Sequence, residues 1–460
     1  MKVLLISPPT DSAIKSIVGT TGPPLGLAYL ASVAREKGHD AKIVDSLAED
    51  YTFNEVKKII SQYSPDLVGI TSTTSMIPDA YQVANITKEI SKDIIVAIGG
   101  PHVTFVPELT LKENSNIDYV VKGEGEIAFS GILDVMNNKK EKKDVLGIAY
   151  RNGNVIVNNP PQPLIKDVDT IPEPSWDLLP MDKYEIDGVQ FGTIMTSRGC
   201  PYNCIFCSSS LQFGKQWRGH SVERVMNELK ELRHKYNKRE IEFLDDTFTL
   251  NMKRAIELTK RIYDEGLDIR WSASARVNLF SEDIARSMKR AGAHTVYFGI
   301  ESGSQKILDF IGKGITLDLA KKSVSIANNA GLNTLGSFII GFPEDTVKDV
   351  KTTINFSKKV GVTVAQFTIA TPYPGTRLWN YAVEKKILLT TNWRKFTTLS
   401  PVMKLKNFTS EQILKWLSRA YLSFYLRPLY LLKDLAKTHG FVFKRLIPYA
   451  KKAMNMDIMG

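Results

Sequence analysis

Over the first 140 residues, short continuous apolar runs alternate with longer stretches whose apolar residues recur three and four apart. The runs fall at 2–7, 41–44, 67–70, 94–98 and 119–121, with helical patterning between them, as at 27–36 and 78–91. Strands with no polar face, separated by helices, are covered on both sides, which predicts an α/β fold with a doubly wound parallel sheet. A second series occupies 191–385, with strand candidates at 192–197, 240–244, 270–274, 295–300, 334–340 and 364–368. Six such units predict a partial (β/α)6 barrel. Between the two lies a connector, 141–190, where Asn152-Gly153-Asn154 separates two strand-like pieces and predicts a hairpin. A proline-rich crossing follows, with Trp176 placed as an anchor. The expected division is 1–140, 141–190, 191–385 and a helical C-terminal region, 386–460.

Composition changes this picture only at its C-terminal end. With 43% hydrophobic and 24% charged residues the chain is a multi-domain globular protein. No uncharged apolar run approaches the roughly 18 residues that a membrane-spanning helix needs. Residues 401–460 hold eleven Lys and Arg against three Asp and Glu, most of the net charge of +11. They also carry Trp416, Tyr421, Phe424, Tyr425, Tyr430, Phe441, Phe443 and Tyr449. Interleaved basic and aromatic residues suit peripheral contact with an anionic membrane, and equally a helical cap whose aromatics pack on the barrel. Nucleic acid is not an expected partner, because no recognition motif accompanies the charge.

The candidate chemistry is concentrated in one octapeptide, Cys200-Pro201-Tyr202-Asn203-Cys204-Ile205-Phe206-Cys207, which holds all three cysteines of the chain. An odd count with no second cluster argues against disulfides and for a reducing cytoplasm, with the inner membrane face as the place of any peripheral contact. Three thiolates at C-x3-C-x2-C spacing fall one short of a closed structural zinc site or a four-cysteine cluster, and so leave a metal corner open.

This octapeptide, with Phe206 just before its last cysteine, resembles the signature of the radical S-adenosylmethionine (SAM) superfamily. The resemblance implies that Cys200, Cys204 and Cys207 hold a 4Fe-4S cluster whose fourth iron binds SAM, and that cleavage of SAM yields a 5'-deoxyadenosyl radical. Barrel chemistry sits on loops at the carboxyl ends of strands, where the octapeptide falls. Asp246, Arg276, Glu301 and the turn Gly341-Phe342-Pro343-Glu344 stand at other strand ends. Within the resemblance Glu301 matches a position that contacts SAM, and Arg276 is a candidate for the SAM carboxylate. Helix capping is the alternative task for the carboxylates, Asp246 included.

The N-terminal segment resembles the Rossmann-like cobalamin-binding domain that precedes the barrel in one branch of that superfamily. The matching pieces are Pro23-Pro24-Leu25-Gly26-Leu27-Ala28-Tyr29-Leu30, the Gly38-His39 turn, the hydroxyl cluster from Thr71 to Ser75, Gly99-Gly100-Pro101-His102 and Gly123-Glu124-Gly125-Glu126. Ligands of such sheets lie beyond the carboxyl ends of the strands. Pro8, Pro9, Thr71, Ser72, Thr73, Gly99, Gly100, His102, Gly123 and Glu124 are therefore the candidates for holding cobalamin. No histidine occurs between Ser7 and Gly26, so the resemblance implies a cobalt without a protein imidazole from that loop. No G-x-G-x-x-G follows the first strand, which removes the usual dinucleotide signal.

Together the resemblances imply a cobalamin-dependent radical SAM enzyme that methylates an unactivated carbon of a lipid or other small molecule, using an external electron donor of flavodoxin or ferredoxin type. A branch resembling the anaerobic magnesium-protoporphyrin ester cyclase, which closes rings instead, shares both domains. A non-catalytic cobalamin or SAM sensor on the same fold is the reading from another class.

Overall fold

The computed structural model describes residues 1–10, 21–428 and 430. Phe441, Phe443, Tyr449 and the basic residues beyond Tyr430 lie outside them, as does 11–20 of the histidine-free loop.

The first sheet has seven strands: β1 (Lys2–Ser7), β2 (Asp40–Asp45), β3 (Leu67–Thr71), β4 (Ile95–Gly99), β5 (Tyr119–Val121), β6 (Ile148–Asn152) and β7 (Val155–Asn158), in the order β2-β1-β3-β4-β5-β6-β7. The first five are parallel, as their apolar runs require, and Leu4, Leu5, Val68 and Val96 have no exposed surface. The Asn152-Gly153 hairpin continues this sheet antiparallel to β5. Because β1 is flanked by β2 on one side and β3 on the other, the chain switches direction beside β1. A ligand crevice opens at such a switch point, beyond the carboxyl ends of the strands.

The connector then crosses to the barrel. Lys238, fully buried, donates from Nζ to the carbonyls of Met181 and Tyr184 and to Gln190 Oε1 (2.7 Å). Tyr184 in turn donates to Asp45 Oδ2 (2.8 Å) at the end of β2.

The second sheet comprises β8 (Glu185–Ile186), β9 (Val189–Ile194), β12 (Glu240–Phe243), β13 (Arg270–Ala275), β14 (Ala293–Glu301), β15 (Asn333–Ile340) and β16 (Val364–Ile369), in the order β16-β15-β14-β13-β12-β9-β8. A small ribbon, β10 (Ser197–Arg198) with β11 (Arg218–Gly219), stands beyond β9. From β9 to β16 the strands are parallel and form the open half-barrel. Large apolar residues such as Phe243, Trp271, Phe298, Phe338 and Phe367 face the helices and are buried. The first barrel strand lies three residues earlier than its apolar pattern suggests, because Thr196 and Ser197 leave the sheet to bind Asp245.

After the barrel, residues 386–409 contain no α-helix. They form a loop closed at its neck by Leu389 N–H to Val402 O (2.9 Å) and Lys404 N–H to Ile387 O (2.7 Å). Its tip, Trp393 to Phe396, packs into the core of the first domain. Helix Ser410–Tyr425 then lies against β16. Tyr421 and Tyr425 use their hydroxyls on the backbone of that strand's outer edge, and Tyr430, beyond the helix, donates to Thr363 O just before the strand, so these aromatics act as the barrel cap.

Candidate active site

The cysteine loop is pinned at both ends and in the middle. At its start, Gly199 adopts φ +91°, and a Cβ there would stand 2.2 Å from the Gln216 carbonyl, so only glycine fits. Cys200 N–H donates to Gly214 O (3.1 Å). Below it the buried Asp245 carboxylate accepts from the backbone and hydroxyl of both Thr196 and Ser197, at 2.6–3.1 Å, fastening β12 to the strand end that launches the loop. In the middle, Ile205 N–H donates to Ile311 O (3.0 Å), Leu378 N–H to Ile205 O (2.8 Å), and Arg377 to Asn203 O. Phe206 packs on Phe342 of the Gly341 turn, ring centres 5.8 Å apart.

All three thiols are free and half-buried. Burial pushes the Cys200 and Cys207 thiols up. Metal ligation requires thiolates, so loading the site releases protons. Among the described residues no three His, Cys, Asp or Glu side chains converge on one ion. Three sulfurs and no fourth protein donor fit a 4Fe-4S cluster with one iron open to SAM.

Arg276 stands beside them, Nη1 3.9 Å from Cys204 Sγ, its guanidinium 3.5 Å from the centre of the Tyr202 ring. It is 6% exposed, and its Nε and Nη2 have no partner among the described residues. An arginine so held keeps a fork of donors for a carboxylate. Glu301 ends β14 at φ +67°, a left-handed conformation uncommon outside glycine, and the β14–β15 register slips there. Its Oε1 is ion-paired with Lys313 Nζ (2.7 Å), both side chains buried. Gly299 lies beneath, where a Cβ would be 2.4 Å from that oxygen. Asp246 is half-buried near the cysteines, its carboxyl raised by burial and lowered by Ser209.

On the first sheet, Pro8, Pro9, Ser72 and His102 are buried at the strand ends, Thr71, Gly99, Gly100 and Gly123 are half-buried, and Thr73 is exposed. A Cβ on Gly100 would meet Ser72 O at 2.3 Å, so these loops approach backbone to backbone. Thr104 ties the edge together, accepting from Gly123 N–H (3.0 Å) and donating to Gly100 O (2.9 Å). His102 is 1% exposed, edge-on to Trp393 (4.7 Å between centres), with neither ring nitrogen partnered among the described residues. Glu124 is placed differently from the other loop residues. Its carboxylate accepts from Arg198 (3.1 Å), Arg218 (2.7 Å) and Ile165 N–H (3.1 Å), joining the first sheet to the barrel. The unpartnered ring nitrogens of His102 and the close-packed Gly100 loop, both at the carboxyl end of β4, fit a cobalamin cradle.

The two edges meet. Gln212, on the short helix that follows the cysteine loop, donates to Gly123 O (2.8 Å), and Glu126 accepts from Arg198 (2.6 Å). Lys313, Asp245, Arg198 and Arg218 were not readable as site-forming residues in the sequence, since each acts through a partner on another element. The Arg198-Gly199-Cys200 run and the Lys313-Gly314 turn were the available signals.

Comparison with known proteins agrees with these two sites. The B12 binding domain model matches residues 12–133, and the radical SAM superfamily model matches residues 194–357. An uncharacterized methyltransferase of Pyrococcus horikoshii is 62% identical over 447 residues, covering 97% of each chain. The anaerobic magnesium-protoporphyrin IX monomethyl ester cyclase of Rubrivivax gelatinosus is 28% identical, over 94% of this chain and 78% of its own. Among solved structures, the cobalamin-dependent SAM radical enzyme OxsB with aqua-cobalamin bound superposes with a TM-score of 0.79 at 17% identity, over 98% of this chain and 71% of that one, a likeness of fold. The two family models imply cobalamin and SAM as cofactors, and the three free cysteines fit the cluster that radical SAM chemistry uses. The chain belongs to the radical SAM superfamily, in the branch of methyltransferases and cyclase-like enzymes that carry a B12-binding domain ahead of the barrel.

Proposed function

We propose that this enzyme is a C-methyltransferase that acts on an unactivated carbon of a small molecule, with an external flavodoxin- or ferredoxin-type protein as its electron source. The observation that supports this reading is the direct seam between the segment after the cysteine loop and the strand-end loops of the first sheet, Gln212 to Gly123, which brings the two candidate cofactor edges together. When bound, the cluster supplies the electron that cleaves SAM, and cobalamin carries the methyl group. Cys200, Cys204 and Cys207 would hold the cluster, and the open donors of Arg276 would take the SAM carboxylate. Glu301, whose Oε1 is paired with Lys313, would contact SAM. The name of the Pyrococcus horikoshii relative supports methyl transfer.

The test is anaerobic turnover of reconstituted protein with methyl-deuterated SAM and candidate lipids, porphyrins and amines, read by mass spectrometry. The expected result is 5'-deoxyadenosine together with a product that carries the deuterated methyl, both abolished by Cys204→Ala. An unlabelled product that has lost hydrogen and gained a ring would instead make the chain a cyclase.

A further inference from the structure

The concave face of the half-barrel is polar, and at its β9 end Gly22 of the first domain packs against Thr193. Along β12, β14 and β15, buried helix-facing residues alternate with half-exposed ones on the other face, as in β14, where Thr295, Tyr297 and Gly299 alternate with Val296, Phe298 and Ile300. In register across the floor of this face stand Thr193 on β9, Glu242 on β12 and Ser272 on β13. Tyr297 reaches the same row and donates to Ser272 Oγ (3.0 Å).

Glu242 is the unusual member. Its neighbour Glu240, one step lower on the same face, is paired with His294 and with Arg270 (3.8 Å). Glu242, half-buried, has no hydrogen-bond or ion-pair partner among the described residues. Burial, then the charge of Glu240, raises its carboxyl above the usual range. Burial, then the charge of Glu242, raises the Tyr297 phenol as well. Thr193 adds an independent sign: it is 2% exposed, and its hydroxyl has no partner among the described residues. A hydroxyl drawn out of water without a partner destabilises a fold, and such a group persists where a ligand completes it.

We infer that this floor is a subsite for a protonated amine of the substrate, with Glu242 as counter-charge and Thr193 and the Tyr297–Ser272 pair as its hydrogen-bonding surround. The inference rests on the Proposed function in taking the half-barrel as the substrate chamber. Tyr297 lies four residues below Glu301, on the order of 13 Å at the rise of a strand, so the amine would sit well away from the reacting carbon. Glu242 acts as a specificity determinant: it favours cationic substrates and repels carboxylates.

The test uses the reconstituted protein with n-hexylammonium, n-hexanol and hexanoate as probes, titrated by calorimetry. The wild type should bind hexylammonium at least tenfold more tightly than hexanol and should not bind hexanoate. Glu242→Gln should abolish the preference for the cation without lowering the melting temperature, because it removes an uncompensated charge. Glu242→Asp, which keeps the charge on a shorter arm, should fall between the two. No preference in the wild type, or a preference undiminished in both variants, overturns the subsite. A cation preference without labelled methyl transfer would overturn the Proposed function and leave the subsite standing. Labelled methyl transfer without the preference would do the reverse.

Discussion

His102 shows how a single residue reports on the cofactor edge. The ring is buried against Trp393, its nitrogens are unpartnered among the described residues, and burial pushes the imidazole down to about 4. A folded-state value below the unfolded one of roughly 6.5 means that the unfolded chain binds the extra proton between those two values. The stability that comes from keeping this ring neutral is therefore fully present above pH 6.5 and is lost as the pH falls toward 4. For the cofactor-free protein, His102→Phe should remove this loss. Its stability relative to wild type, from urea unfolding at pH 7.5 and pH 4.5, should shift in the variant's favour by about 2–3 kcal/mol at the lower pH. Parallel pH profiles for the two proteins would mean that the ring is solvated or partnered.

At the scale of elements, the edge of β16 is the most informative. A half-barrel leaves its last strand with unpaired backbone groups, which invite association with another chain. Here Tyr425 Oη bonds both N–H and O of Ala365 (3.2 and 2.7 Å), Tyr421 Oη does the same at Phe367 (3.2 and 2.8 Å), and Tyr430 donates to Thr363 O (2.9 Å). The match is geometric: four residues of helix rise about 6 Å, close to the roughly 6.6 Å between alternate residues of a strand. Tyr421→Phe and Tyr425→Phe should each lower stability by about 1–3 kcal/mol in urea unfolding, because each strands an N–H and a carbonyl. Tyr263→Phe, at a half-exposed position, should change little. Those tyrosines mark the limit of what was legible in the sequence. Their spacing reads as one face of a helix, but that the face would be a backbone-binding cap and not a lipid surface depends on β16 lying beside it. The strands were legible because helices on both sides demand unbroken apolar runs, and Cys200, Cys204 and Cys207 stood out because their spacing is local. The tasks of Asp245 and Lys313 were not, since Asp245 holds Thr196 only because β9 and β12 lie side by side, and Lys313 reaches Glu301 only because a short helix and turn fold back on the end of β14.

Over the whole molecule, two clamps hold the cobalamin-binding domain against the barrel. One is the buried set of Glu124 and Glu126 with Arg198 and Arg218, beside Gln212 on Gly123. The other is the C-terminal loop, where Arg394 forks onto Asp79 (2.6 and 3.0 Å) and Trp393 covers His102. The first clamp bears on chemistry, because Arg198 stands at the root of the cysteine loop and its pairing with Glu124 and Glu126 fixes how the first domain lies against that loop. Breaking a buried ion pair from one side leaves charge uncompensated, a loss of about 3–5 kcal/mol. Glu124→Gln, which leaves Arg198 and Arg218 short of a counter-charge, should therefore lower unfolding stability by that order and loosen the seam between the domains. Arg35→Ala, which breaks an ion pair with Asp177 whose side chains are both 45% exposed, should cost less than about 1 kcal/mol. In turnover, Glu124→Gln should keep forming 5'-deoxyadenosine, because the cysteines and Arg276 are untouched, while the ratio of methylated product to 5'-deoxyadenosine falls at least fivefold. If both products fell together in that variant, the pair would serve stability alone, and the registration of the two cofactor sites would have to come from the C-terminal loop.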